Sequence, residues 1–189
     1  LALEPTLEAL AAGNRVMIKP SELTPRFSEL LAQTVAEKFP PNVLRVVTGG
    51  VAVAQEFAAL PWDHLFFTGS TRVGREVARA ASANLTPVTL ELGGKSPTIV
   101  SASADLERAA ASLVMAKALN AGQTCIAPDY VLVHENHRTA FAQAFSQALQ
   151  KQYPELSETA DYSSLVSDPH FDRQLELLED ARAQGARIL

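Results

Sequence analysis

Short apolar runs alternate with helical stretches along the whole chain, and glycine or proline stands at nearly every junction. Strand, glycine turn and helix in repetition leave few architectures open, because such a chain buries its strands in parallel sheets covered by helical crossovers. Residues 1–12 carry apolar side chains at Leu3, Leu7, Leu10 and Ala11, which is helical spacing, and Gly13-Asn14 stops the helix. Residues 15–19 read as a short buried strand and 20–25 as a turn, with Thr24 as N-cap and Pro25 at the first helical position. Residues 26–39 form an amphipathic helix through Phe27, Leu30, Leu31, Val35 and Phe39. Strands follow at 43–47, 64–67 and 87–91, with helices at 51–59 and 72–82 between them. After Gly93-Gly94 the rhythm restarts: strand 98–100, a helix at 105–119 opened by Asp105, strand 130–134, helix 136–150, a polar loop at 153–169, and helix 170–184. Residues 187–189 read as the start of a further strand. The expectation is an α/β protein of parallel sheets with flanking helices, in two parts, residues 1–92 and 93–189. Ligands in such folds sit at the carboxyl ends of the strands.

Composition closes off several function classes. Hydrophobic residues make up 47% and charged residues 20% of 189, enough to build a core. The formal net charge of −5 argues against a nucleic-acid partner. Glu4, Glu8, Arg15 and Lys19 interrupt the apolar N-terminal stretch, so no membrane span and no signal peptide is expected. The single cysteine excludes an intramolecular disulfide framework and fits a reducing, cytoplasmic setting. His64, His134, His137 and His170 fall in unrelated places with no ligand spacing, so no metal site is expected. Nothing around them suggests a Cys–His protease pair, and no G-x-S-x-G occurs. The chain starts at Leu1 and reads as cut at both ends, part of a longer protein.

Four places carry residue types suited to chemistry. Cys125 lies in Asn120-Ala121-Gly122-Gln123-Thr124-Cys125-Ile126-Ala127-Pro128, a stretch loosened by Gly122 and closed by Pro128. It is either a small buried hydrophobe or a nucleophile. In Thr68-Gly69-Ser70-Thr71-Arg72-Val73-Gly74 a strand runs through a glycine turn into a helix, which is either a phosphate site or an ordinary strand–helix turn. Gly69 permits the tight turn, Ser70 can cap, and Gly74 would let the helix sit close to the sheet. Its spacing is not G-x-G-x-x-G, so the generic dinucleotide fingerprint fails. Lys19 and Glu22, three residues apart at a strand end, suit sugar hydroxyls or form a solvated turn. Glu91, at a strand end before two glycines, is either a partly buried general base with raised pKa or a carboxylate paired with Lys95.

Taken in order, four stretches resemble the NAD(P)-dependent aldehyde dehydrogenases: Ala11-Ala12-Gly13-Asn14 leading to Lys19-Pro20-Ser21-Glu22; Phe67-Thr68-Gly69-Ser70-Thr71 with Gly74; Glu91-Leu92-Gly93-Gly94-Lys95-Ser96-Pro97; and Gly122-Gln123-Thr124-Cys125. Glu91 and Cys125 stand 34 positions apart, as the resemblance requires. The run from Gln123 to Tyr130 is most similar to the class 3 branch, including coniferyl-aldehyde dehydrogenases. The likeness extends over the whole chain but only over the middle of the family's length.

The resemblance implies Rossmann-like sheets, with residues 1–92 as part of the NAD(P)-binding domain and 93–189 as the N-terminal part of the catalytic domain. It implies that Cys125 attacks the aldehyde carbonyl, that the thiohemiacetal passes a hydride to the nicotinamide and becomes a thioester, and that Glu91 activates the hydrolytic water. Lys19 and Glu22 would hold the adenosine ribose, Gly49 would pass the adenine, and Gly69, Ser70, Gly74 and Leu92 would line the cofactor's path. The cofactor implied is NAD, towards which Glu22 tilts, with NADP also admitted. The substrate implied is a small-molecule aldehyde, aromatic such as coniferyl aldehyde or long-chain, and the full-length protein is expected to be a homo-oligomer. The family's oxyanion asparagine falls before Leu1 and is not Asn120. Its Glu-x-Phe-Gly-Pro segment falls after Leu189, so these 189 residues alone are expected to turn over little. An acylating relative or a non-catalytic dinucleotide-binding module are the rival readings.

Overall fold

A computed structural model describes residues 1–156, 159–160 and 162–189. Ser157, Glu158 and Asp161, within the expected polar loop, lie outside the described residues. The chain forms two compact units, Leu1–Gly93 and Gly94–Leu189.

The first unit runs α1 (Leu3–Ala11), β1 (Val16–Ile18), α2 (Pro25–Lys38), β2 (Leu44–Val46), α3 (Val51–Ala58), β3 (Leu65–Gly69), α4 (Thr71–Ser82) and β4 (Val88–Leu92). β1 and β2 pair in parallel, Val16 beside Leu44 and Ile18 beside Val46. β3 and β4 also pair in parallel, with Thr68 beside Glu91 and Gly69 beside Leu92. Parallel pairing demands a crossover, and α2 and α4 supply it. Ile18, Val35 and Leu44 form one buried cluster, backed by Leu10, Leu31 and Val46. Ala58, Leu65 and Ala81 form another, backed by Phe57, Trp62 and Val77. Each buried Val, Leu or Ile contributes about 1.5–3 kcal/mol relative to exposure. Trp62 satisfies its ring N–H on the Phe57 carbonyl at 2.7 Å.

The second unit runs β5 (Ser96–Val100), α5 (Leu106–Ala118), β6 (Pro128–Val133), α6 (Arg138–Gln152) and α7 (Asp168–Ala183). β5 and β6 pair in parallel, Thr98 beside Val131 and Val100 beside Val133. Val100, Ala110, Leu113 and Phe141 make its core. No described helix is long and apolar enough to cross a membrane.

The element order follows the sequence reading, and the differences have local causes. Gly13 ends α1 with φ +84°, while its N–H and that of Asn14 return to the Leu10 and Ala9 carbonyls. Thr24 precedes α2 as expected but does not cap it, because its hydroxyl donates to the Ser21 carbonyl instead. Pro128, expected to close the cysteine stretch, is the first residue of β6, a place where a missing N–H is tolerated. Residues 135–137 tighten into a 3₁₀ turn, so α6 starts at Arg138. α7 absorbs Asp168 and Pro169 from the expected loop, since proline is well tolerated in a first turn. Residues 187–189 are irregular and not the start of a strand, contrary to expectation.

Candidate active site

At the end of β3 the chain turns through Gly69 and Ser70 into α4. Ser70 is the N-cap, its hydroxyl accepting the Val73 N–H at 3.2 Å. That satisfies one orphan amide and leaves the partial positive charge of the helix start in place. At both glycines a Cβ would press on a neighbouring side chain, which would have to shift. A Cβ at Gly69 would lie 2.5 Å from the Phe67 ring, and one at Gly74 would lie 2.8 Å from Leu92 Cδ2. The register that sets Gly69 beside Leu92 therefore brings Gly69, Ser70, Gly74 and Leu92 together.

Lys19, Glu22 and Gly49 meet at a second place in the same unit. Lys19 Nζ donates to Glu22 Oε2 at 2.8 Å. The lysine side chain is only 9% exposed and the glutamate side chain 42%, so the pair is not an ordinary solvated turn. Hydrogen bonding from Lys19 is the main reason that the Glu22 carboxyl sits below the usual glutamate range. Ser28 is buried, and its hydroxyl lies 3.0 Å from both the Ser21 and Thr24 carbonyls, pinning the turn. Pro20, Ser21, Glu22, Pro25, Thr48 and Gly49 line an open cleft of about 260 Å³. Gly49 has φ +153°, and a Cβ there would strike Val53 at 2.5 Å, so the cleft's floor is built on a glycine.

Glu91 stands next to Thr68 in the β3–β4 register. Neither weighed arrangement, partial burial or pairing with Lys95, is found. Glu91 is the one exposed residue of β4, and its carboxylate has no ion-pair or hydrogen-bond partner among the described residues. Lys95, the partner weighed for it, donates to Asp129 Oδ1 at 2.9 Å within the second unit.

Cys125 is exposed, not a buried hydrophobe. It follows a segment whose backbone is unusual. Asn120 (φ 51°, ψ 36°) and Ala121 (φ 54°, ψ 29°) are both left-handed, and Gly122 follows at φ +75°. Left-handed geometry at a residue with a Cβ costs about 1–2 kcal/mol, so surrounding contacts must hold it. They do: Asn120 Nδ2 donates to the Gln123 carbonyl at 3.2 Å, and the Gln123 N–H returns to the Asn120 carbonyl at 3.1 Å. A Cβ on Gly122 would meet the Lys117 carbonyl at 3.1 Å, and one on Gly94 would meet the Cys125 carbonyl at 3.2 Å. Gly94 thus lets β5 begin against the cysteine's own backbone. Sequence reasoning singled out neither Gly94 nor the side chain of Gln123. The only available signal was their place inside motifs already quoted.

Over residues 1–189 the chain matches the aldehyde dehydrogenase family. It is 49% identical over its whole length to a probable coniferyl aldehyde dehydrogenase of Pseudomonas aeruginosa, covering 40% of that protein. It is 48% identical to the coniferyl aldehyde dehydrogenase of a Pseudomonas species, covering 39% of it. Among solved structures, the substrate-bound state of Staphylococcus aureus AldH superposes with TM-score 0.92 at 43% identity, over 96% of this chain and 40% of that one. An indole-3-acetaldehyde dehydrogenase complexed with NAD+ superposes with TM-score 0.86 at 33% identity, over 96% of this chain and 38% of that one. The chain thus spans about two-fifths of the length of these relatives. The exposed cysteine after its left-handed turn and the glycine-built strand ends stand in a chain that matches the family over residues 1–189 and a solved member over 96% of its length, and this chain belongs to the aldehyde dehydrogenase family.

Proposed function

We propose that the polypeptide carrying this chain oxidises an aldehyde to a carboxylate with NAD(P)+, using Cys125 as nucleophile and Glu91 as base. The observation that supports this most is the exposure of Cys125 on a glycine-bearing, left-handed turn. A thiol there is reachable by a carbonyl carbon, whereas a structural cysteine would be packed away. Aromatic or long-chain aldehydes, coniferyl aldehyde among them, are the proposed substrates, on the strength of the coniferyl relatives.

The residues suit the cofactor. Glu22 is held by one oxygen on Lys19 and stands at the rim of the cleft, so it retains acceptor capacity for a sugar hydroxyl. A carboxylate at that position disfavours a 2′-phosphate, so NAD is proposed ahead of NADP. Gly49 would pass the adenine, and Gly69, Ser70, Gly74 and Leu92 at the start of α4 would accept the diphosphate side. NAD(P)+, when bound, supplies the two-electron oxidant for the reaction.

The chain's own residues do the rest. The Cys125 thiolate adds to the aldehyde carbon to give a thiohemiacetal, and the Cys125 N–H can donate to its oxyanion. After oxidation the same sulfur carries the acyl group as a thioester. Glu91 takes a proton from water as that water attacks the thioester carbon, releasing the carboxylic acid and returning the thiolate. The 1–92 part serves the dinucleotide and the 93–189 part the thiol. A cytoplasmic homo-oligomer is proposed for the full-length protein.

The test is dinucleotide reduction by the full-length protein with coniferyl aldehyde. Cys125→Ala should abolish it, and Glu91→Gln should leave a single-turnover burst with slow thioester breakdown. Full turnover by Cys125→Ala would overturn the reading. Product released as a coenzyme A thioester, in place of free acid, would favour the acylating alternative.

A further inference from the structure

Gln123 uses its carboxamide to join two stretches of chain that are far apart in sequence. Its Nε2 donates to the Asn120 carbonyl and to the Ser164 carbonyl, each at 3.0 Å. Its Oε1 accepts the Val166 N–H at 2.9 Å. Both amide protons and one acceptor site are therefore committed. One end of this network holds the left-handed Asn120-Ala121 backbone four to five residues before Cys125. The other end holds Ser164 and Val166, shortly before α7. That segment is steadied from its far side too: Tyr162 packs edge-on against Tyr153 with ring centroids 5.4 Å apart, and Ser167 Oγ lies 2.7 Å from His170 Nδ1.

We propose that Gln123 is a positioning residue for the proposed reaction. It docks residues 164–166 onto the turn that carries Cys125, so that the seating of this segment sets the direction of the thiol. The inference rests on the reading of Cys125 as nucleophile. The physical reason lies in the strain. Two left-handed residues with side chains persist only where their surroundings over-determine them, and the Gln123 side chain is anchored on a carbonyl inside the turn and on a carbonyl and an N–H of a separate segment. Without it the turn can relax by rotation about Asn120 and Ala121, and the sulfur moves with it. A displacement near 1 Å lowers turnover by roughly a hundredfold.

Two variants of the full-length protein test this. Gln123→Met keeps the length and volume and deletes all three hydrogen bonds. Gln123→Glu keeps the acceptor for the Val166 N–H but turns a second oxygen towards the Asn120 and Ser164 carbonyls. Protonation restores one donor, so acid should rescue it. The readouts are kcat, KM for NAD+, the rate of Cys125 alkylation by iodoacetamide, and the thermal midpoint. Expected for Gln123→Met is a fall in kcat and in alkylation rate of roughly ten- to hundredfold, with KM for NAD+ within about twofold. Expected for Gln123→Glu is a kcat, relative to wild type at each pH, that climbs as pH drops through the carboxylate range. Gln123→Met with wild-type kcat and alkylation overturns the proposal, as does a Gln123→Glu ratio flat with pH, or a loss confined to KM. If Gln123→Met does not fold, the pH ratio of Gln123→Glu decides alone. Wild-type turnover surviving in Cys125→Ala would instead sink the nucleophile reading, so the two failures are told apart.

Discussion

Gly74 on α4 lies directly against Leu92 at the end of β4: a methyl group on Gly74 would come within 2.8 Å of Leu92 Cδ2. This contact, with the Gly69–Leu92 register beside it, fixes how closely α4 seats on the strand pair. Gly74→Val should overpack the site and cost about 1–3 kcal/mol, lowering the thermal midpoint by several degrees. Gly74→Ala should be nearly neutral, because a helix-propensity gain of about 1 kcal/mol offsets a rotamer shift of Leu92 costing about 0.5–1.5 kcal/mol. Differential scanning calorimetry of the pair checks this. Equal losses in both variants would show that Leu92 cannot move aside.

Leu85 is the opposite case, a side chain where a glycine belongs. It is left-handed at φ 56° and 89% exposed, while its N–H and that of Thr86 return to the Ser82 and Ala81 carbonyls. This is the hydrogen-bond pattern of a helix end that normally takes glycine. Leu85→Gly relieves strain of about 1–2 kcal/mol and gives back about 0.5–1 kcal/mol in chain entropy. The midpoint should rise by roughly 1–4 °C. An unchanged or lowered midpoint would contradict the strain reading.

The Lys19–Glu22 pair makes a small, pH-dependent contribution to stability. Glu22 has a lowered folded pKa, chiefly through the hydrogen bond from Lys19. The unfolded chain therefore holds that proton more tightly than the folded one, and the contribution falls as pH falls. It is fully present above roughly pH 5, where the unfolded glutamate is ionised, and it is lost as pH drops through the folded value. With the Glu22 side chain 42% exposed, the contribution is at most about 1 kcal/mol. Urea titrations of wild type and Glu22→Gln should differ at pH 7 and converge in acid. Curves separated by the same margin at every pH would refute it.

The turn before Cys125 should respond asymmetrically to exchange of its small residues. Gly122→Ala places a Cβ at φ +75° and 3.1 Å from the Lys117 carbonyl, so it should cost about 1–2 kcal/mol or more. Ala121→Gly removes the strain at φ 54° and should change stability by less than about 1 kcal/mol. Chemical denaturation of both measures the difference. A harmless Gly122→Ala would mean that the turn is not left-handed in solution.

The parallel strand–helix rhythm was legible in the residues because its signals are local. Apolar periodicity, Gly13 and Ser70 each act within one turn of chain. So do the motifs that named Cys125, Glu91, Lys19 and Glu22. Boundaries slipped where a proline had two uses, at Pro128 and Pro169, since a proline can either stop one element or start the next. The exposure of Glu91 was not legible because it depends on what packs over the strand end, which its own neighbours do not encode.

The sequence by itself determined the α/β alternation and marked Cys125, Glu91, Lys19 and Glu22 as residues of types suited to chemistry. Only the tertiary structure decided that the largely covered Lys19 side chain pairs with Glu22, that Gly74 yields to Leu92 and Gly94 to the Cys125 carbonyl, and that Gln123 reaches residues 164–166. Local propensity is written in residues a turn apart. Close approach and hydrogen bonding across some forty positions depend on where folding brings the backbone, and a motif carries no record of that.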